Sequence, residues 1–332
     1  MSTFVMGGAD PNVLLHHLAF YGLADILDTA GVPDLLLSWD DHGQAVLSGD
    51  QLGDERVEDA VRAHLDGRRS WVQRSSGPER RAVMSPRLTV FKNHQAWQEH
   101  QIQRERVLDD LTERHAWPDL RYLAALGEPC YWRFTPRGEP LQDDAASRLE
   151  MQPRNRGSEF VGNRLRPLTE KLLARNHGQI AAGLAGTIIV DELGGKPDSV
   201  TATGLTMPGP VDNALVWCAL WGIGQLPLAL RTDSAAATTG HLGRTRREWF
   251  YVPVWDRPWR LARLRSILAS GQLRRTASTG IPQLGQDTLA ALAGATWLTA
   301  RGVIGVVHFP IGRFGSDNAP ERRTLRGEAI PL

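Results

Sequence analysis

The chain has 332 residues, 42% of them hydrophobic and 23% charged, with 38 Lys plus Arg against 37 Asp plus Glu. That is enough chain for one large domain or two, and the composition excludes a disordered or collagen-like protein. Two cysteines, Cys130 and Cys218, exclude a disulfide scaffold and a four-thiolate zinc site.

Asp10 and Pro11 open a helix predicted over 11–30, with Leu14, Leu15, Leu18, Tyr21 and Leu23 as its apolar side and Gly31 and Pro33 as its stop. Leu35–Trp39 and Gln44–Leu47 flank Asp40-Asp41-His42-Gly43, a hairpin pattern. Val57, Val61 and Leu65, spaced by four, predict a helix over 54–65. The Arg-rich, Gly/Ser-punctuated stretch 67–86 reads as an exposed loop. A long polar helix over 93–115, a short one from Pro118 and a strand at 130–134 follow.

Residues 136–166 read as a polar connection holding Asp143-Asp144 and Arg154-Asn155-Arg156-Gly157. Beyond it come a helix over 167–184, strands at 187–190 and 200–207, and a buried helix over 211–225 with Trp217 and Trp221 one turn apart. A strand at 248–255, helices over 259–269 and 288–299, a strand at 303–310 and a polar tail from 315 complete the chain. Helices and strands interleave without the even spacing of a doubly wound sheet. The expected fold class is α+β, with mixed helices and short sheets in two poorly separated domains, 1–150 and 151–332. No repeat or low-complexity tract is present.

No charged-then-apolar leader opens the chain, and no uncharged apolar run reaches the roughly 18 to 20 residues of a membrane span. The longest candidate, Ala214 to Leu230, is interrupted by Gly222, Gly224 and Pro227. A soluble, cytoplasmic protein without membrane contact is therefore expected.

Charge is unevenly spread. Residues 1–60 carry eleven acids and one base, Arg56, a net −10 that leaves +11 for 61–332. The acidic segment is expected to face protein, and the remainder has room for a polyanion. Lys92, Lys171 and Lys196 are the only lysines, so 35 of the basic residues are arginines. Arg is the better fork for phosphate and base edges, although coding bias produces the same ratio.

Catalytic patterns are missing. His16 and His17 are adjacent and point about 100° apart on a helix, and His94 and His100 fall on different helix faces. No H-x-x-x-H, C-x-x-C or G-x-S-x-G occurs. Thr238 to Thr245 approaches a P-loop, but Thr238 replaces the first Gly and Arg244 the Lys, and a strand follows where a helix is required. No enzyme, cofactor or metal is expected. The Gly/Thr-rich turn still offers backbone N–H groups to an anion.

Three basic stretches form the candidate nucleic-acid surface. The first holds Arg68, Arg69 and Arg74, continued by Arg80, Arg81 and Arg87, with Trp71 as a stacking candidate. The second holds Arg154, Asn155, Arg156, Asn163, Arg164 and Arg166, where Arg beside Asn suits base-edge readout. The third holds Arg244, Arg246 and Arg247, continued by Arg257, Arg260, Arg263 and Arg265. Lys92-Asn93 is a further candidate reader.

Ala214 to Ile223, then Leu226-Pro227-Leu228, the Thr-rich basic turn, Trp249 to Trp255 and Leu261 to Leu268 follow one another in a distinctive order. With the opening Pro11 to Leu14 and Ala19 to Ala24, this order resembles the large-subunit family of type I-U (also called I-G) CRISPR surveillance (Cascade) complexes, the Csb-type, Cas-eight-like proteins. The resemblance covers the two ends well and the middle, 40–200, poorly. It implies a non-enzymatic part of a crRNA-guided antiviral complex, beside the Cas-five-type and Cas-seven-type subunits. Such a subunit recognises the protospacer-adjacent motif in double-stranded target DNA, helps open the duplex and supports recruitment of a helicase–nuclease. The family supplies no short motif for the reading residues. Two other readings stand beside it: an RRM-like crRNA-binding backbone subunit, and an enzyme using Asp143 or Asp144 with a nearby His.

Overall fold

The structure is a computed structural model. It describes the chain apart from residues 78–79, 89–90, 92, 130–135, 138–144, 152–159, 195–202, 232–234, 245–246, 280, 282–287 and 316–320, and apart from the side chains of Arg244 and Thr288. Strand β1 (Ser2–Met6) leads into α1 (Leu14–Thr29) and the hairpin β2 (Leu36–Trp39), β3 (Ala45–Gly49). Helix α2 (Asp54–Val72) ends at a small hairpin, β4 (Ser75–Ser76) and β5 (Arg81–Ala82), followed by α3 (His94–Glu113) and α4 (Trp117–Leu126). Helices α5 (Arg166–Leu173), α6 (Gln179–Ala185) and α7 (Asn213–Gly222) come next, then β6 (Leu228–Ala229), β7 (Ala237–Thr238), β8 (His241–Arg244) and β9 (Arg247–Trp255). Helices α8 (Leu261–Leu268), α9 (Gly271–Thr279) and α10 (Thr288–Thr299) precede β10 (Val303–Phe314), β11 (Glu321–Thr324) and β12 (Glu328–Pro331). The fold is α+β, as the interleaved pattern predicts.

Helices α1 and α7 lie at the centre because most residues of each are apolar and nearly all are buried. They meet at two glycines. A Cβ on Gly22 would stand 1.9 Å from the Cys218 carbonyl oxygen, and one on Gly222 would stand 2.0 Å from that of Leu18. Only hydrogen fits at either point, so the backbones approach more closely than side chains would permit. The antiparallel sheet β1-β3-β2 supplies Phe4, Leu37 and Leu47 to the core. The antiparallel order β11-β10-β9-β8, with β12 also on β10, supplies Phe250, Val252, Val307 and Phe309.

The expected halves 1–150 and 151–332 are joined throughout. Leu37 and Trp259 exchange both backbone hydrogen bonds at 2.8 Å, Gly7 donates to Ala185, and Gly327 donates to Asn12. One hydrophobic core runs through both halves. Of the polar connection expected over 136–166, residues 138–144 and 152–159 lie outside the described residues, while Leu149, Met151, Phe160 and Leu165 are buried in that core.

Several expectations are corrected. Helix α2 continues past Leu65 to Val72, because Trp71 and Val72 extend its apolar stripe into the core. The stretch predicted as one helix over 167–184 is two, α5 and α6, separated at Gly178, whose φ of 87° is left-handed. Residues 187–190 form no strand; Asp212 accepts the Val190 N–H instead, at 2.9 Å. Of the strand predicted at 200–207, residues 203–207 are not strand, and 200–202 lie outside the described residues. The tail contributes β11 and β12, and β1 was not predicted. The strand predicted at 130–134 and Asp143-Asp144 lie outside the described residues.

Part of the acidic first segment is met by arginines from later in the chain. Asp25 holds Arg121 and Arg265, each at 2.5 Å; Asp34 holds Arg260 at 2.5 Å, and Asp10 holds Arg326 at 2.6 Å. Part of the sequence-level asymmetry is therefore neutralised within the chain, at Asp25 in the interior and at Asp10 and Asp34 nearer the surface.

Candidate nucleic-acid interface

Arg68 and Arg69 sit on the last two turns of α2 rather than in a loop. Arg68 points inward, donating to Asp119 at 3.0 Å with its guanidinium 5.0 Å from the Trp221 ring centroid. Trp71 is 2% exposed, and its indole N–H donates to the other Asp119 oxygen at 2.8 Å. Trp71 cannot stack on a base in this fold, and Arg68 is committed to Asp119 and the Trp221 ring. Both are anchors, because the apolar stripe of α2 carries them to α4. Arg69 stays exposed and pairs with Asp66 on its own helix.

The second stretch also divides. Arg164 is 2% exposed, donates to the Thr203 carbonyl and lies 5.7 Å from the Phe160 ring; burial pulls its guanidinium down to about 10. It therefore cannot read a base edge. Asn163, one residue away, faces outward. Arg166 turns toward β4, donating to Ser75 Oγ at 2.9 Å and to the Val72 carbonyl at 3.4 Å. Arg154, Asn155, Arg156, Lys92 and Arg246 lie outside the described residues.

The third stretch is a hairpin. Arg244 pairs in register with Arg247, and the turn is reached through Gly243 at φ 85°. Arg247 is exposed. The neighbouring Gly/Thr turn is less open to an anion than its composition suggests. Thr239 N–H donates to Pro227, and Thr238 Oγ1 accepts from Arg148.

Three predicted residues converge at one place. Arg74, just before β4, places its guanidinium 3.5 Å from Gln103 Oε1 on α3. Asn93 caps α3, its Oδ1 accepting the Ala96 N–H at 2.8 Å. Arg166 reaches the same β4 strand from α5. Between the β4–β5 hairpin and the first turns of α3 lies a cleft of about 640 Å³. Ser76, Arg81, Phe91, Asn93, His100 and Gln103 line it, with Glu99 beside them.

Its inner wall is aromatic and cationic. The Arg81 guanidinium stands 4.0 Å from the centroid of Phe91, whose ring meets Trp97 edge-on at 5.5 Å and His100 at 5.1 Å. His100 is 1% exposed and shares a 2.7 Å hydrogen bond through Nδ1 with Ser76 Oγ. Its Nε2 is buried without a protein partner. Burial first, then the charges of Arg104 and Arg81, push this imidazole down to about 4, so it is neutral near pH 7.

Sequence reading missed Phe91, His100 and Gln103. A usable pattern was present: Asn93, Ala96, His100 and Gln103 recur at helical spacing, which lines up one polar face. No motif marked that face, because the hairpin opposite it read as an exposed loop.

A second charged cluster surrounds Glu248 on β9, which is 4% exposed. Arg148 bonds it, Arg313 and Arg322 stand 3.9 Å away, and His241 is 3.7 Å away. This cluster ties β8, β9, β10 and β11 to the segment before Leu149. Among the described residues, no group of three or more His, Cys, Asp and Glu side chains is placed to hold a metal ion. No helix among them is long and apolar enough to cross a membrane. No family model matches the chain, and no curated protein matches it.

Proposed function

We propose that the chain is a non-catalytic, nucleic-acid-binding subunit of a crRNA-guided type I CRISPR effector, of the large-subunit kind. In this reading it contacts target duplex DNA beside the guide-paired region. It assembles with crRNA and with Cas-five-type and Cas-seven-type subunits, and it supports recruitment of the helicase–nuclease. The observation that carries the reading is where the family-like residues lie. Pro11 to Ala24 and Ala214 to Ile223 are distant in sequence, yet they form the glycine-locked α1–α7 pair, with Trp255 of β9 stacked on Phe20 at 6.2 Å. The resemblance thus falls on residues that pack against one another, as a shared scaffold would require. Outward-facing Arg74, Arg80 and Arg247, with Asn93 and Asn163, supply the phosphate and amide chemistry.

The reading is tested by assembling the guided complex with and without this chain. With it, the chain should co-purify with crRNA and the partner subunits, and the complex should bind target duplex in a way that depends on the adjoining motif. A complex that binds and opens its target equally well without the chain overturns the proposal.

A further inference from the structure

The cleft between the β4–β5 hairpin and α3 has a chemistry of its own, distinct from the arginines outside it. We propose that it seats one unpaired nucleobase, stacked against the Phe91–Arg81 wall and hydrogen-bonded by His100 and Gln103, with the sugar-phosphate backbone left outside. This subsite rests on the nucleic-acid reading above and assigns a place to a single nucleotide.

Size and wall character agree. A cavity of about 640 Å³ falls within the usual range for small-molecule sites, which are mostly apolar with a few placed polar groups. Phe91 offers a ring and Arg81 a planar guanidinium 4.0 Å from it, and planar surfaces of this kind stack bases irrespective of sequence. The polar groups suit a base edge better than a phosphate. His100 is neutral, one of its nitrogens is fixed by Ser76, and the other is left as a single directional donor or acceptor. Glu99 stands at the cleft, where it would repel a phosphate and accept from an exocyclic amino group. The phosphate chemistry lies nearby but outside: Arg74 precedes β4, and Arg166 bonds Ser75 on that strand. The layout is base inward, backbone outward.

The test uses the purified full chain and a labelled single-stranded 12-mer, with an abasic residue moved along the oligonucleotide. One position should stand out with a roughly five- to hundredfold loss of affinity, the value of one base stack. Phe91→Ala should cause a similar loss on the intact oligonucleotide and almost none on the oligonucleotide already abasic at that position. Phe91→Trp should restore binding. A flat abasic scan, or losses from Phe91→Ala and the abasic site that simply multiply, overturns the subsite while leaving salt-dependent binding intact. No binding at low salt removes the nucleic-acid reading itself. Because the abasic arm uses unaltered protein, a folding defect in Phe91→Ala cannot mimic the expected result.

Discussion

Arg68 and Arg74 are six residues apart in the sequence and have opposite environments. Arg68 is drawn into the α2–α4–α7 interior, bonded to Asp119 and packed over Trp221. Arg74 has left the helix, is exposed and borders the cleft. The same contrast separates Arg265 on Asp25 from its neighbour Arg263, which faces solvent. A run of arginines is thus two populations. The inward one is fixed by a carboxylate or a carbonyl, with an aromatic ring beside Arg68 and Arg164, and the outward one is available to a polyanion. Burying a guanidinium without a partner costs far more than leaving it solvated, so the inward set exists only where an acid or a carbonyl waits for it.

The contrast is broken most severely at Asp25. It is 1% exposed, accepts from Arg121 and Arg265, and takes the Trp221 indole N–H at 2.8 Å. Asp25→Ala removes the acceptor of that indole and the carboxylate of Arg121, and leaves Arg265 with Gln225 and the more distant Asp28, an expected loss of about 3 kcal/mol in denaturant unfolding. A loss below about 1 kcal/mol would show that the inward set is not a supporting frame.

A second measure is pH. His17 is fully buried, donates from Nε2 to the Pro11 carbonyl at 2.7 Å and accepts from the Tyr21 hydroxyl; burial lowers its pKa to about 4. His241 is lowered to about 3 by burial and then by Arg148 and Arg322. Unfolded histidine titrates near 6.5. Below that pH the unfolded chain binds protons that the folded chain refuses, so stability is complete above pH 6.5 and falls toward pH 4. Each histidine should cost about 2 kcal/mol between pH 7 and pH 5, and His17→Gln should flatten the slope by that amount. An unchanged slope would place the acid sensitivity elsewhere.

The smallest expected stability effect belongs to the outward set. Arg74→Ala and Arg80→Ala should change stability by no more than about 0.5 kcal/mol, as exposed substitutions generally do. Yet each should reduce the slope of log affinity against log salt by about 0.9 on duplex DNA if it meets one phosphate. Large destabilisation with an unchanged salt slope would reverse the assignment of the two populations.

The elements most legible in the sequence were those whose apolar pattern is decisive by itself. Helices α1, α7 and α10, the β2–β3 hairpin and strand β9 lie close to where periodicity and turn residues put them. Helix α2 extends beyond its sequence reading because Arg68, Arg69 and Ser70 read as loop and Trp71 as a stacking residue, whereas Trp71 and Val72 hold the helix in the core. The tail strands β11 and β12 escaped because their pairing with β10 involves residues such as Arg322 and Glu328, which carry little strand preference. The candidate site was half visible: Arg74, Arg166 and Asn93 were named, and Phe91, His100 and Gln103 were not.

By itself the sequence determined the fold class, the apolar helices and the excess of arginine, because each depends on local spacing and composition. Only the tertiary structure decided which arginines are structural and which are free to act. That choice depends on whether an acid distant in sequence, such as Asp119 for Arg68 or Asp25 for Arg265, is brought within hydrogen-bonding reach. Spacing along the chain carries no information about that meeting, since the energy that fixes it comes from burying a shared core between α1 and α7.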